Sequence, residues 1–264
     1  MTARVGLLVP SSNVTMEIEL PALLRQGVPA RQVPSFHSAR MRMTAVTAEA
    51  LAAMDAQAEH RAGELADAQV DVIAYACLVA VMVQGRGAHR SAEQRLSQAA
   101  DGVPVISSAG ALVAAVHALG VERVAIVTPY APPLTATVID YLAAEGIEVV
   151  DAISLGVTDN GAVGRLDPAN LVDVAARLDR SRAEAIVASA CVQMPSLPAI
   201  PSIQALTGLP TLSAATATAE SVRMALGSGF ERSGDRDEGD GEEGDGTNDE
   251  ESMQGADVVA EEPE

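Results

Sequence analysis

The sequence predicts an α/β fold of two similar parallel-sheet halves facing each other across a cleft. Three observations carry that expectation. Two apolar runs end in cysteine, Val70-Asp-Val-Ile-Ala-Tyr-Ala-Cys77 and Ala185-Ile-Val-Ala-Ser-Ala-Cys191. Short apolar runs of this kind form strands buried on both faces of a parallel sheet. Each half also opens in the same way: Val5-Gly-Leu-Leu-Val9 before Pro10, and Val124-Ala-Ile-Val-Thr128 before Pro129. The first-strand offset is 119 residues (5 to 124) and the cysteine offset 114 (77 to 191), so one β/α unit has been duplicated. Finally, strands alternate with helical patterns along most of the chain, the signature of βαβ units.

Taken in order, Val5–Val9 is the first strand and about 15–24 the first helix, with Thr15 as a cap and Glu17 and Glu19 in its first turn. An extended piece is expected at Ala30–Pro34, then one long helix from Thr47 to Ala68. The strand Val70–Ala76 delivers Cys77 to its carboxyl end, where open α/β sheets bind ligands. Gly85-Arg-Gly87 lacks the third glycine of a dinucleotide fingerprint and is rejected as one. A helix at Ser91–Ala100, a strand at Val103–Ser107 and a helix ending near Leu119 complete the first half. The second half repeats the scheme: a strand from Val124, a helix at Pro132–Glu145 and a strand at Ile147–Ile153. A loop at Thr158–Gly164, a helix at Pro168–Arg180 and the strand Ala185–Ala190 before Cys191 follow. Three prolines precede a helix at Ser202–Thr207, a strand at Pro210–Ser213 and a last helix at Thr216–Leu226. The domains expected are 1–115 plus 208–228, 116–207, and an acidic disordered tail at 229–264.

Composition narrows the function. Of 264 residues, 48% are hydrophobic and 2% aromatic, so the core is aliphatic. Net charge is −19, but 15 of the 36 acidic residues fall between Glu231 and Glu264, so the acidity belongs mainly to the tail. No basic patch interleaved with aromatics suggests nucleic acid. No apolar run reaches the roughly 18–20 residues a membrane span needs. The chain begins a strand almost at once, without a signal-peptide pattern, and the expectation is a cytoplasmic protein. Two cysteines in such a chain are not expected to form a structural disulfide. His37, His60, His89 and His117 show no metal-ligand spacing, so no metal site is expected.

Two thiols on opposite sides of one carbon framework permit nucleophilic addition and proton transfer, because a thiolate attacks or accepts a proton and a thiol donates one. With no lysine in the chain, activation is expected from a helix N-terminus after each strand. Neutral donors at the strand ends suit an anionic substrate. The candidates are Ser11, Ser12 and Asn13 after the first strand, Tyr130 at the matching place in the second half, and Asn160. Backbone N–H groups at Leu78, Val79, Val192 and Gln193 are candidate anion nests beside the thiols.

Pro10-Ser-Ser-Asn13, Ala74-Tyr-Ala-Cys-Leu-Val-Ala80 and Ser189-Ala-Cys-Val-Gln-Met-Pro195 together resemble the maleate cis-trans isomerases of the aspartate/glutamate racemase superfamily. The resemblance runs from about residue 4 to residue 226. It implies two Rossmann-like domains related by a pseudo-twofold axis with the site between them, no cofactor, and a homodimer or larger homo-oligomer. It further implies that Cys77 adds to one alkene carbon of maleate and Cys191 protonates the next, giving a succinyl-cysteine that rotates and eliminates fumarate. Asn13, Tyr130, Asn160 and the residues following each cysteine match the family's carboxylate-binding positions. A racemase of an acidic amino acid or hydantoin uses the same two thiols but places polar residues after them, where this chain has Leu78-Val79 and Val192-Gln193. Arylmalonate decarboxylase works with one cysteine in the second half, so Cys77 speaks against it. A relative associated with ectoine breakdown shares much of the motif set. A ligand-binding protein with incidental cysteines is the non-enzyme alternative.

Overall fold

Two four-stranded parallel sheets form the framework of the computed structural model, which describes residues 2–227. The first contains β1 (Arg4–Pro10), β2 (Ser35–Met41), β3 (Val72–Tyr75) and β4 (Val105–Ser107), in the order β2-β1-β3-β4. The second contains β5 (Arg123–Thr128), β6 (Glu148–Ser154), β7 (Ala185–Ser189) and β8 (Thr211–Ser213), in the order β6-β5-β7-β8. The two orders are the same, as duplication requires. Every residue of β3 and β7 is buried, which explains why those strands read as unbroken apolar runs. Among the described residues no helix is long and apolar enough to cross a membrane.

The helices of the first half are α1 (Met16–Arg25), α2 (Ala48–Asp55), α3 (Ala58–Asp67), α4 (Leu78–Met82), α5 (Ala88–Ala99) and α6 (Ser108–Ala118). The second half contributes α7 (Pro132–Ala144), α8 (Asn160–Val163), α9 (Pro168–Ala176) and α10 (Ile200–Thr207), and α11 (Ala214–Leu226) is the last helix of the described residues.

Several elements differ from the sequence expectation. Residues 30–32 form a single 3-10 turn, and the extended segment is β2, which pairs along its whole length with β1. The helix expected over 47–68 is two helices. Between them Gln57 accepts the Arg42 N–H (2.9 Å) and donates to the Ala53 carbonyl (2.9 Å), anchoring the break to the chain after β2. The loop at 158–164 holds α8, capped by the Asp159 carboxylate on the Ala162 N–H. Thr15 does not cap α1; the Asn13 Oδ1 accepts the Met16 N–H instead (3.1 Å). Gly85 and Gly87 both have positive φ (90° and 72°) and make the turn between α4 and α5, a conformation only glycine adopts without strain. The assignment of 208–228 to the first half divides within the described residues: β8 extends the second sheet, whereas α11 packs on α6 and α1. The acidic tail lies outside the described residues.

Candidate active site

Both cysteines stand just past the carboxyl ends of central strands, β3 and β7, and both are free and buried. The other strand ends there belong to β1, followed by Ser11-Ser-Asn13, and β5, followed by Pro129-Tyr130. Brought together, these ends line one small cavity. Cys77, Cys191, Asn13, Tyr130 and Asn160 all line it, as do Leu78, Val79, Val192 and Gln193. Pro10, Ala76, Met43 and Val46 complete the wall. The segment carrying Met43 and Val46 meets the opposite half through an isolated bridge between Ala45 and Asp159.

Cys77 is the N-cap residue of α4. The N–H groups of Leu78 and Val79, in the first turn, have no intrahelical partners. Burial pushes the Cys77 thiol up to about 12; the Ala80 N–H opposes the shift, while charge at Cys191 and Asp55 adds to it. Burial also raises Cys191, but three donors oppose it: the Tyr130 hydroxyl and the N–H groups of Gln193 and Met194. The Gln193 N–H lies 3.4 Å from the Cys191 sulfur. Tyr130 itself is held well above the usual phenol range, chiefly by burial, so it stays a donor. One expectation is therefore corrected. No α-helix follows Cys191 directly; the chain makes a turn, and the turn's amides and Tyr130 supply what a helix N-terminus was expected to supply.

The two asparagines differ. Asn13 is 1% exposed and its Nδ2 has no partner among the described residues. An unpaired buried amide donor is costly, and here it lines a cavity that a carboxylate would complete. Asn160 Nδ2 donates to Ser12 Oγ (2.5 Å), so its amide is already engaged across the cleft. The Gln193 side chain donates to the carbonyls of Asn160 and Ser12, leaving it a structural tie. Ser11 and Ser12 do not line the cavity. Ser12 Oγ donates to the Met43 carbonyl (2.9 Å), and Ser11 Oγ exchanges hydrogen bonds with the Met43 backbone (3.2 and 3.0 Å). Their hydroxyls fix the Met43 wall.

Sequence reasoning also missed Thr15 and Glu19, which cross from α1 to the turn after Cys191. The signal available was their i, i+4 spacing directly after the Pro10–Asn13 motif. Of the four histidines, His89 is buried and its Nδ1 pairs with the Tyr141 hydroxyl (2.5 Å). Among the described residues no group of three or more His, Cys, Asp or Glu could hold a metal ion.

Known proteins carry the same architecture. A family profile described as arylmalonate decarboxylase matches residues 5–235. The maleate isomerase of Geobacillus stearothermophilus is 51% identical over 231 residues, covering 84% of this chain and 91% of that protein. This chain belongs to the maleate isomerase family. The family's fold is that of the aspartate/glutamate racemases, which agrees with the paired sheets described above. A maleate isomerase from Pseudomonas putida S16, solved as a cysteine-to-alanine variant with maleate, matches with a TM-score of 0.83 at 49% identity, covering 86% of this chain and 92% of that one. A maleate cis-trans isomerase from Nocardia farcinica, solved as a cysteine-to-serine variant with a covalently bound succinylcysteine intermediate, matches with a TM-score of 0.82 at 49% identity, covering 86% and 93%.

Proposed function

We propose that this chain converts maleate to fumarate by reversible addition of Cys77 to the alkene, with Cys191 handling the proton. The observation that carries the reading is the convergence of two buried free thiols and the unpaired Asn13 amide on one small cavity. The succinylcysteine held by the Nocardia farcinica relative supports the covalent step.

Burial raises both thiols, so the pair rests protonated, and the donors acting on Cys191 make it the readier of the two to take charge as the reaction proceeds. Maleate binds with its carboxylates toward the Asn13 amide and the N–H groups of Leu78, Val79 and Val192. As the Cys77 sulfur bonds to one alkene carbon, the π electron pair moves to the adjacent carbon, which takes the proton of Cys191 while the Cys77 proton passes to Cys191. The product is a succinyl thioether on Cys77, with Cys191 again a thiol. The former double bond is now single and rotates. Cys191 then removes a proton from the same carbon, the π bond re-forms in the trans geometry, and the C–S bond breaks. As it does so, Cys191 passes its own proton to the departing Cys77 sulfur. The cycle is redox-neutral and no cofactor is assigned. The apolar wall of Leu78, Val79 and Val192 side chains offers nothing to an ammonium group, which favours a dicarboxylate over an amino acid.

We further infer a homo-oligomer, supported by Val14 just before α1 and Ile18 within it, 49% and 67% exposed. A reducing cytoplasm suits the two free thiols. Light scattering tests the first.

The test of the chemistry is intact-mass and peptide analysis of variants given maleate. Cys191→Ser gains the mass of one maleate on the Cys77 peptide and turns over poorly; Cys77→Ser gains nothing and is inactive. Normal turnover by either variant would overturn the two-thiol mechanism.

A further inference from the structure

We propose that Thr15 and Glu19 are positioning residues for Cys191: helix α1 of the first half grips the turn after Cys191 and aims its amides at the sulfur. The proposal rests on the proton-handling role read for Cys191.

Thr15 and Glu19 are four residues apart and so share one face at the start of α1. Both are buried. Thr15 Oγ1 donates to the Gln193 carbonyl (2.7 Å). The Glu19 carboxylate accepts the N–H groups of Ser196 (2.7 Å) and Leu197 (2.8 Å) and the Ser196 hydroxyl (3.3 Å). All four bonds end on one short segment of the other half, 193–197. Among the described residues no cation pairs with Glu19 through a salt bridge, and burial raises its proton affinity against the pull of those N–H groups. A buried carboxylate without a countercharge is a costly way to fix a surface loop, so the segment it fixes has a reason to be held.

The geometry supplies the reason. In a trans peptide the C=O and the following N–H point in opposite directions. Thr15 grips the carbonyl of Gln193, the residue whose own N–H lies 3.4 Å from the Cys191 sulfur, and Gln193 in turn joins Met194, whose N–H also lowers the Cys191 thiol. The bond from Thr15 therefore orients the residue that donates to Cys191. Glu19 pins the next residues, so the turn cannot swing its amides away. Within the turn, Ser189 Oγ donates to the Cys191 carbonyl (2.7 Å), closing it from below. The same chain segment carries Asn13 at its start, so α1 ties the unpaired amide of one half to the proton-transfer thiol of the other.

The test is the pH dependence of iodoacetamide alkylation at Cys191, read by peptide mass mapping with Cys77 as the internal comparison, alongside kcat and KM for maleate. Thr15→Val, Glu19→Ala and Glu19→Gln are compared with wild type. Besides Cys191, the titratable groups acting on it are Tyr130 and Cys77, and all three variants keep them. Thr15→Val and Glu19→Ala are expected to move the Cys191 alkylation midpoint upward and lower kcat roughly ten- to hundredfold, with little change in KM. Glu19→Gln, whose Oε1 still accepts N–H groups, is expected to retain most of kcat. Folded Thr15→Val and Glu19→Ala with a wild-type Cys191 midpoint and wild-type kcat would overturn the proposal; if Glu19→Ala does not fold, Thr15→Val decides. Full activity of Cys191→Ser would instead overturn the proton-transfer reading, and the alkylation midpoints separate the two failures.

Discussion

Cys77 and Cys191 occupy nearly matching sequence contexts but different electrostatic ones. Cys77 has a single amide facing its sulfur, whereas Cys191 has two amides and a phenol. Both thiols were legible in the sequence because an apolar strand reads clearly and its end is a defined place. Their difference was not, because Tyr130 is 61 residues away from Cys191 in sequence and meets it only in the fold. Burial raises both thiols, and the donors at Cys191 make it the readier of the two to take charge during the reaction. A Cys77 thiol pushed up to about 12 favours the folded state while neutral. That contribution is complete below the unfolded thiol's pKa of about 8.5 and is lost as pH rises from there toward 12. Wild-type protein is expected to lose more stability than Cys77→Ala between about pH 8 and the strongly alkaline range, measured by denaturant unfolding. Equal losses would show that the thiol is not desolvated. Asn13 gives a second expectation at this scale. Asn13→Ala removes a donor with no protein partner, so a carboxylate loses a bond worth about 1.5–3 kcal/mol. KM for maleate should rise about tenfold or more, and an unchanged KM would place the carboxylates elsewhere.

At the scale of elements, the strands were read more securely than the segments between them. The buried β3 and β7 are apolar apart from Ser189 at the end of β7, and their identity survived with boundaries shifted by one or two residues. Strand β2 was displaced because Ser35-Phe-His-Ser-Ala-Arg-Met41 is a polar sheet edge without an apolar run. The break between α2 and α3 depends on Gln57 meeting Arg42, a contact that helical periodicity does not encode. The Gly85–Gly87 turn has a structural role, which its positive φ values supply. Gly87 also donates its N–H to Glu145 of the second half (2.9 Å), just before α5. Gly87→Ala is expected to cost about 1 kcal/mol for the left-handed conformation, read as a shift in denaturation midpoint at unchanged slope. No loss of stability would mean the turn relaxes freely.

For the whole molecule, duplication gives two sheets of one order and places their central strand ends face to face. The symmetry is then broken where chemistry needs it: a helix starts at Cys77, a clamped turn starts at Cys191, and Asn13 faces Tyr130 across the cavity. Fold and candidate site were legible because both halves repeat the same strand-then-cysteine phrase. The bonds holding the halves in register were not, since Thr15, Glu19, Ser12 and Gln193 find their partners about 150 to 180 residues away. The site described is lined by residues between Pro10 and Gln193, so a chain truncated after residue 229 is expected to keep its kcat; a large loss would give the acidic segment a role in turnover. The central claim, cofactor-free isomerisation of maleate by a thiol pair, is tested most directly by a proton NMR time course of the purified, reduced protein with maleate alone. The account predicts that the maleate alkene signal is replaced by that of fumarate at a rate proportional to protein concentration. No fumarate from folded protein with both thiols free would contradict it.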